Sequence, residues 1–291
     1  MAAGDLITAD WELEFNDLLI GGDTDFSVAS VEGLLDLDVR TSDRELLRRH
    51  GLHAGDDFLS GRTVTVAVEV YNETSLDSAM QSFLEAFVPA SGELGLAMQL
   101  PGIANGTKVR LNSRVRRRSS AVDLEWYRGI PVVIVELEAT DPRLYAAAAS
   151  SVSAVSITAS TGGLDWDAGV TNQLQWPLSW GSFTSGEFTA TNAGNFETPG
   201  VFTLQGPLTN PRVVNTTQGK KLDMGITLSA SETLVIDTGA RTILLGGTAS
   251  RYSTLTSDSE WFQLGAGGDT IQLAADSGSG SISATWRSAW V

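Results

Sequence analysis

The chain contains no cysteine, which excludes disulfide bonds and thiolate metal sites. No apolar run approaches the roughly 18 residues that a membrane helix requires, so no membrane segment is predicted. The first residues, MAAGDLITADWELEF, lack the basic and apolar regions of a signal peptide, and we therefore expect synthesis in a cytoplasm. With 291 residues, 42% of them hydrophobic, the chain is predicted to fold into about two globular domains.

Basic residues are missing from residues 1–39, a stretch that contains ten Asp or Glu residues. The whole chain has a formal net charge of −16. Such a field repels a phosphate backbone, so tight binding of nucleic acid is not expected. The acidic stretch is then either a solvated face that aids solubility or a lining over which nucleic acid slides without sticking. The candidates for such a lining are Asp10, Glu12, Glu14, Asp17, Asp23 and Asp25.

Residues that could carry catalysis or bind a metal are few. His50 and His53 precede two aspartates in HGLHAGDD, but the glycines of this stretch indicate a loop that does not align both imidazoles. Asp165 and Asp167 could be paired acids of a glycosidase or calcium ligands, yet no complete motif surrounds them. Phosphate-binding glycine motifs and nucleophile elbows are missing. We predict no enzymatic activity, no metal and no cofactor.

The composition changes near residue 148. The first part of the chain holds most of the charge, and the stretch AAAASSVSAVSITASTGG at residues 146–163 carries none. We predict an N-terminal domain at 1–148, a connecting region at 149–184 and a C-terminal domain at 185–291.

The N-terminal part combines strand and helix patterns. RTVTVAVEVY places four valines on one face, which predicts a half-buried strand. Residues 74–90 then show helical spacing, with Ser75 as N-cap and Pro89 as the end. The apolar stripe expected to face the core is Leu76, Ala79, Met80, Phe83, Leu84 and Phe87.

The most basic segment is TKVRLNSRVRRRSS. As a strand it would bury Val109, Leu111 and Val115 and present a basic stripe on the opposite face. That stripe consists of Lys108, Arg110, Arg114, Arg116 and Arg118. The following segments, AVDLEWY and PVVIVELEATD, supply acids on neighbouring strands. Cross-strand or intersubunit ion pairing therefore explains the stripe better than DNA binding does.

Short strands at intervals of eight to twelve residues fill the C-terminal part. They are GEFTATNAGN, GVFTLQG, ETLVIDT, RTILLGG, DTIQLAAD and SISATWRSAW. This spacing predicts an antiparallel sandwich or jelly roll. Residues 195–215 are expected to form a hairpin hinged at Gly206-Pro207, with Pro199 and Pro211 at strand ends.

Six of the eight tryptophans follow residue 150. Trp261 and Trp286 are expected to pack between the sheets. Trp176 and Trp180, in QWPLSWGS, are candidates for stacking on sugar rings. They leave open an alternative function, that of a carbohydrate-binding module or adhesin.

The order of these features resembles a known family. The segments VASVEGLLDLDVRTSD, HGLHAGDDFLSGRTVTVAVEVY, IVELEATDPRLY, GNFETPGVFTLQGPLTNPRVVN and SEWFQLGAGGDTIQL are similar to those of distal tail proteins of long-tailed, non-contractile phages. The landmarks within them are Glu32-Gly33, Gly61-Arg62 and Asp141-Pro142-Arg143.

The resemblance implies a mainly β structural protein of the virion. Its N-terminal, β-rich belt domain with one amphipathic helix would form a homo-oligomeric ring, a hexamer, at the tail tip. That ring would join the tail tube to the other tail-tip proteins of the host-adsorption apparatus and surround the channel used for DNA ejection. The C-terminal domain would be a galectin-like β-sandwich. The basic stripe would then serve subunit contacts, and the acidic candidates would line the channel.

Overall fold

The computed structural model describes residues 3–72, 75–157 and 186–291. It divides into two compact units, Met1–Ala148 with Trp290–Val291, and Ala149–Ala289. The helices are α1 (Leu76–Ala86) and α2 (Leu124–Tyr127). The strands up to residue 148 are β1 (Glu12–Phe15), β2 (Leu18–Ile20), β3 (Phe26–Glu32), β4 (Val39–Thr41), β5 (Arg44–Glu45), β6 (Leu52–His53), β7 (Asp57–Leu59), β8 (Arg62–Val70), β9 (Leu94–Gln99), β10 (Val109–Ser120), β11 (Val132–Ala139) and β12 (Leu144–Ala146). The strands after it are β13 (Ser150–Ser156), β14 (Gly186–Ala190), β15 (Gly200–Gln205), β16 (Leu208–Thr209), β17 (Arg212–Asn215), β18 (Lys220–Asp223), β19 (Thr227–Leu228), β20 (Thr233–Asp237), β21 (Thr242–Leu245), β22 (Ala249–Ser250), β23 (Asp269–Ala274), β24 (Ser277–Gly278), β25 (Ser281–Trp286) and β26 (Ala289–Trp290).

The first unit is built on a nine-stranded sheet. Its main path runs β2-β1-β9-β10-β11-β8-β3, and β12 pairs with both β10 and β26. A two-residue turn, Asn16-Asp17, joins β1 to β2, and both residues have positive φ values of 48° and 63°. Asn and Asp tolerate this conformation, and such turns match the twist of a hairpin.

β8 and α1 form the predicted core of the first unit. The four valines of β8 are buried, as their alternation predicted. The side chain of Ser75 accepts a hydrogen bond from the Ser78 N–H at 3.3 Å, which confirms it as the N-cap. Phe83 and Phe87 are fully buried, and Phe87 stacks on Phe15 with ring centroids 4.8 Å apart.

One member of the predicted stripe is not a core residue. Leu84 is 40% exposed, whereas its neighbour Phe83 is fully buried. The buried face of α1 centres on Ala79, Phe83 and Ala86. Successive side chains of an α-helix point in directions about 100° apart around its axis. Leu84 therefore lies at the edge of the packed face and borders solvent.

The second unit is the predicted antiparallel sandwich. A six-stranded sheet has the order β13-β25-β15-β20-β21-β22, and a four-stranded sheet has the order β14-β23-β17-β18. One hydrophobic cluster contains inward-facing residues of both sheets. Phe202 and Ile236 come from the six-stranded sheet, and Val213 and Ile271 come from the four-stranded sheet. Each of the six predicted strand segments contains a strand of one of these two sheets, and the last segment also contains β26. The mainly β fold class is thus confirmed.

The predicted hairpin at residues 195–215 is wrong. β15 and β17 lie in different sheets, and β16 between them pairs with β19 and β24. Both edges of β15 are already paired, with β20 and β25, so β17 finds its partners in the other sheet. Pro199 and Pro211 directly precede β15 and β17, in agreement with their predicted place at strand ends.

Part of the predicted connecting region is a strand. β13 pairs with β25 in the six-stranded sheet, and Val152 and Val155 pack against the second core. Residues 158–185 lie outside the described part of the chain. In the described part, neither helix has the length and apolar character needed to span a bilayer.

Candidate functional site

Residues 33–61, between β3 and β8, form a hairpin arm. The pairings β4 with β7 and β5 with β6 hold it together, and most of its side chains are exposed. The exposed large hydrophobic side chains of the arm are Leu35, Leu37, Val39, Leu46, Leu47, Leu52 and Phe58. Leu47 is 93% exposed. An exposed apolar surface of this kind marks an interaction site.

The base of the arm is held tightly. Gly33 has φ +77°, and a Cβ there would lie 2.2 Å from the carbonyl oxygen of Thr63, so only glycine fits. The buried guanidinium of Arg62 donates a hydrogen bond to the carbonyl of Leu34. Burial lowers the pKa of Arg62, and the nearby carboxylate of Asp36 partly opposes that shift. Gly33 and Arg62 belong to the Glu32-Gly33 and Gly61-Arg62 landmarks of the resemblance. They fix where the arm leaves the sheet.

Basic residues cluster toward the tip of the arm. Arg44 lies in β5, Arg48 and Arg49 lie in the connection between β5 and β6, and all three are exposed. His50 and His53 are exposed in the same hairpin. Within residues 3–72, 75–157 and 186–291, His, Cys, Asp and Glu form no group of three or more that could hold a metal.

A second exposed apolar surface lies along α1. A groove of about 340 Å³ is lined by Leu76, Asp77, Met80, Gln81, Leu84, Glu85, Val88 and Trp126, and we call it the helix groove. Asp77 and Glu85 are the charged residues of this lining. The residues around α2 add exposed apolar side chains at Val122, Leu124 and Tyr127.

The segment AVDLEWY is not a strand, contrary to the prediction. It contains α2, whose N-cap Asp123 accepts hydrogen bonds from the N–H groups of Glu125 and Trp126 at 3.1 and 3.2 Å. Glu125 pairs with Arg128 at 2.9 Å. The N-capping capacity of Asp outweighs the alternation of this short segment. Asp123 and Glu125 therefore do not lie on a strand beside the basic stripe, whereas Glu136 and Glu138 do, on β11.

A β-bulge splits the basic stripe of β10. Arg114 lies opposite Glu138 and Arg117 lies opposite Glu136, and the register shifts at Arg116 between them. The shift turns Arg118 to the other face of the sheet, opposite the buried Val135. The expectation that Arg118 shares a face with Arg114 is therefore wrong, because an extra residue inverts the alternation.

Three of the five stripe residues have partners within the subunit. The Lys108 ammonium donates to the carbonyls of Gly4 and Ile7, at 3.3 and 2.6 Å. Arg116 forms an ion pair with Glu138 and lowers the pKa of that carboxyl group. Arg118 donates to the carbonyl of Leu84. The buried Nε atoms of the other two, Arg110 and Arg114, have no acceptor among the described residues.

Two of the acidic lining candidates lie inside the subunit. Glu12 is buried and accepts hydrogen bonds from the N–H groups of Thr8 and Ala9 at 2.6 and 2.9 Å. Glu14 is buried and accepts from the N–H groups of Gly4 and Leu6 at 3.1 and 2.8 Å. As channel-lining residues both are wrong, because their carboxylates are sequestered by the N-terminal segment. The remaining candidates are exposed: Asp10, Asp17, Asp23 and Asp25.

Of the tryptophan and catalytic-acid candidates, the structure describes Trp261 and Trp286. Trp286 is buried in the second core, as predicted, and its indole N–H donates to the carbonyl of Thr191 at 2.8 Å. Trp261 is only partly buried and stacks on the exposed Tyr252 with centroids 6.2 Å apart. The sugar-stacking candidates Trp176 and Trp180 and the acids Asp165 and Asp167 lie outside the described residues.

Comparison with known proteins gives one family and one fold. Residues 193–290 match the model of a family described as siphovirus-type tail component, C-terminal domain. The sequence-based resemblance to siphovirus distal tail proteins is confirmed. No curated protein matches the chain.

The fold is shared over nearly the whole chain. The crystal structure of phage SPP1 Dit (gp 19.1), described as a paradigm of the hub adsorption apparatus in phages infecting Gram-positive bacteria, superimposes with a TM-score of 0.62. The identity is 11%, over 96% of this chain and 99% of the other. The phage P2 baseplate activated with Ca has a TM-score of 0.48 at 10% identity, over 90% of this chain and 91% of the other. Its form with Sr has a TM-score of 0.48 at 9% identity, over 94% and 96%. The match over residues 193–290 makes this part of the chain similar to the C-terminal domain of siphovirus-type tail components, which are proteins of the virion tail.

Proposed function

We propose that the protein forms a ring at the distal end of the phage tail, joins the tail tube to the host-adsorption apparatus and surrounds the DNA channel. The first unit would form the ring, and the second unit would be carried on it. The role is that of a scaffold, without catalysis. SPP1 Dit, which has the same fold, is described as a hub of an adsorption apparatus.

One observation carries the proposal. Of the seventeen large hydrophobic side chains that are exposed in the described part of the chain, sixteen belong to the first unit, and the other is Tyr252. Exposed apolar side chains in this number favour association. The second unit buries its own large hydrophobic residues in one sandwich core. The asymmetry supports self-assembly through the first unit.

The charge of the first unit fits a channel that DNA passes without binding. Asp10, Asp17, Asp23 and Asp25 are exposed and carry the same sign as the phosphate backbone. In the basic stripe, Arg110 and Arg114 are the members whose side chains form no hydrogen bond or ion pair among the described residues, whereas Lys108, Arg116 and Arg118 do. We keep these two as candidate subunit contacts.

The test is the mass of the purified protein by light scattering, followed by electron microscopy of the same sample. We expect a closed oligomer, a hexamer, seen as rings with a central opening. Monomers of 30.8 kDa at every concentration, alone and with purified tail tubes, would contradict the proposal. A monomer that binds glycans and loses that binding in Trp176→Ala would favour the carbohydrate-binding alternative instead.

A further inference from the structure

We propose that the hairpin arm of one copy binds in the helix groove of the next copy. The inference rests on the proposed ring and names the surfaces that close it. Its occupant is a second copy of this chain. Three independent features of the first unit support the pairing: apolar exposure, charge and placement.

The exposed apolar side chains concentrate on these two surfaces. The arm carries seven of the seventeen, and the helix groove with the neighbouring residues of α2 carries Leu84, Val88, Val122, Leu124 and Tyr127. Leu47 projects almost fully into solvent near the tip of the arm. The groove is open, and Leu76, Met80 and Trp126 give it an apolar floor. Each surface leaves apolar area in water that the other would cover.

The tip of the arm and the groove carry opposite charges. From residue 44 to residue 52 the arm presents Arg44, Arg48 and Arg49 against a single acid, Glu45, and the groove presents Asp77 and Glu85. Within the described residues, none of the three arginines and neither of the two groove acids forms an ion pair. In a chain with a net charge of −16, a basic arm tip is a local exception that an acidic groove would attract.

The arm and α1 connect to opposite ends of the same strand. The arm joins the sheet where β8 begins at Arg62, and α1 follows soon after β8 ends at Val70. A strand rises about 3.3 Å per residue, so the base of the arm and the end of β8 that leads into α1 are roughly 25–30 Å apart. Different surfaces at opposite ends make a head-to-tail contact, which gives a ring when the rotation between copies closes.

Charge reversal tests the pairing. We expect Arg48→Glu with Arg49→Glu, and separately Asp77→Lys with Glu85→Lys, to reduce the oligomer to a 30.8 kDa monomer at concentrations where the unmodified protein is closed. Combining the four substitutions should restore the oligomer, because the attraction is re-formed with inverted signs. The matched control is Asp258→Lys with Glu260→Lys in the second unit, which should leave the mass unchanged. Circular dichroism melting verifies that every variant folds.

Cysteine cross-linking locates the contact directly, since the chain has no cysteine of its own. One preparation carries Leu47→Cys and a differently tagged preparation carries Leu84→Cys, and the two are mixed and oxidised. We expect a disulfide-linked pair of the two tags at a yield at least tenfold above a control in which Tyr252→Cys replaces Leu84→Cys.

The outcomes separate this inference from the proposed function. Rings without a cross-link above the control, or reversal variants that assemble normally, would overturn the arm-groove pairing and leave the ring. A cross-link without rings would support the pairing and count against the ring. The absence of both a cross-link and an oligomer, with the protein alone and with purified tail tubes, would reject both.

Discussion

The guanidinium of Arg118, on β10, donates a hydrogen bond of 2.7 Å to the carbonyl oxygen of Leu84 in the last turn of α1. The side-chain amide of Asn16 donates a hydrogen bond to the carbonyl oxygen of Ala86, two residues further along α1, at 3.1 Å. The last carbonyls of a helix have no partner within it, and the negative end of the helix dipole favours a cation there. Two side chains distant in sequence thus complete the helix end.

Removal of Arg118 should loosen this helix end. We expect Arg118→Ala to lower the free energy of unfolding by about 1 kcal/mol, through loss of a charge-assisted hydrogen bond at the dipole. Urea unfolding followed by circular dichroism measures the change. Arg117→Ala, on the other face of the same strand, is the control and should cost less. Equal losses in both variants would contradict the assigned role of Arg118.

The buried carboxylate of Glu14 should anchor the N-terminal segment. In Glu14→Gln, the N–H groups of Gly4 and Leu6 lose a charged acceptor, and we expect a loss of about 1–3 kcal/mol in unfolding free energy. Hydrogen exchange of the amides near Leu6 should accelerate. Asp23→Asn, at an exposed position of the same acidic stretch, serves as control. Unchanged exchange in Glu14→Gln would show that the segment is held by other contacts.

Acid should destabilise the fold through carboxylates whose pKa is lowered. The N–H groups of Thr8 and Ala9 lower the pKa of Glu12, and Arg116 lowers that of Glu138. A lowered pKa in the folded state means that these groups stabilise the fold above the ordinary value of 4.5. That contribution is lost as the pH falls through the lowered pKa values. The melting temperature should therefore decrease when the pH is lowered from neutral to values below about 4.5. In Glu12→Gln the deficit relative to the unmodified protein should shrink over the same range. A deficit that stays constant would exclude Glu12 as a contributor.

Neighbouring residues of α1 should differ sharply in their effect on stability. Phe83→Ala opens a cavity in the first core and should cost about 3–5 kcal/mol. Leu84→Ala, at the exposed edge, should cost about 1 kcal/mol or less. Hydrogen exchange read by mass spectrometry should place the loosening of Phe83→Ala in the first unit, because the two units have separate cores. Equal loosening around Phe202 would argue that the units unfold together.

The second unit has a buried polar network whose removal should be costly. The Asp269 carboxylate accepts hydrogen bonds from Asn215 Nδ2, Gln218 Nε2 and the Gly265 N–H, at 2.8, 2.6 and 2.9 Å. Asp269→Ala leaves these donors without an acceptor, and we expect a loss of about 2–3 kcal/mol. Guanidinium unfolding measures it, with the exposed Asp258→Ala as control. A cost below that of the control would refute the network.

The sequence predicted those parts of the fold that local pattern decides. The valines of β8, the cap and stripe of α1 and the strands of the second unit follow from periodicity and end signals, which act within a few residues. The exposure of Leu84 was missed because a stripe wide enough for six residues includes its own edge. α2 was missed because its four residues are too few to show a helical period.

The candidate site depends on contacts that no local pattern contains. The bulge at Arg116 is set by pairing with β11, so strict alternation misplaced Arg118. Glu12 and Glu14 have the appearance of surface acids until the preceding residues fold back over them and supply their N–H groups. The exposure of the arm is likewise a property of the tertiary structure, although its glycines and charges were visible in the sequence.

Trp290 belongs to the first core, although the residues of the second unit precede it in the chain. During translation, residues 1–148 leave the ribosome before the codon for Trp290 is read. At bacterial speeds of roughly 5–20 residues per second, the interval is on the order of ten seconds. Until then the first unit lacks one of its large aromatic side chains. A chain that is still being synthesised therefore lacks a core side chain of the unit that we assign to the ring. The core of that unit becomes complete only after the second unit has been synthesised.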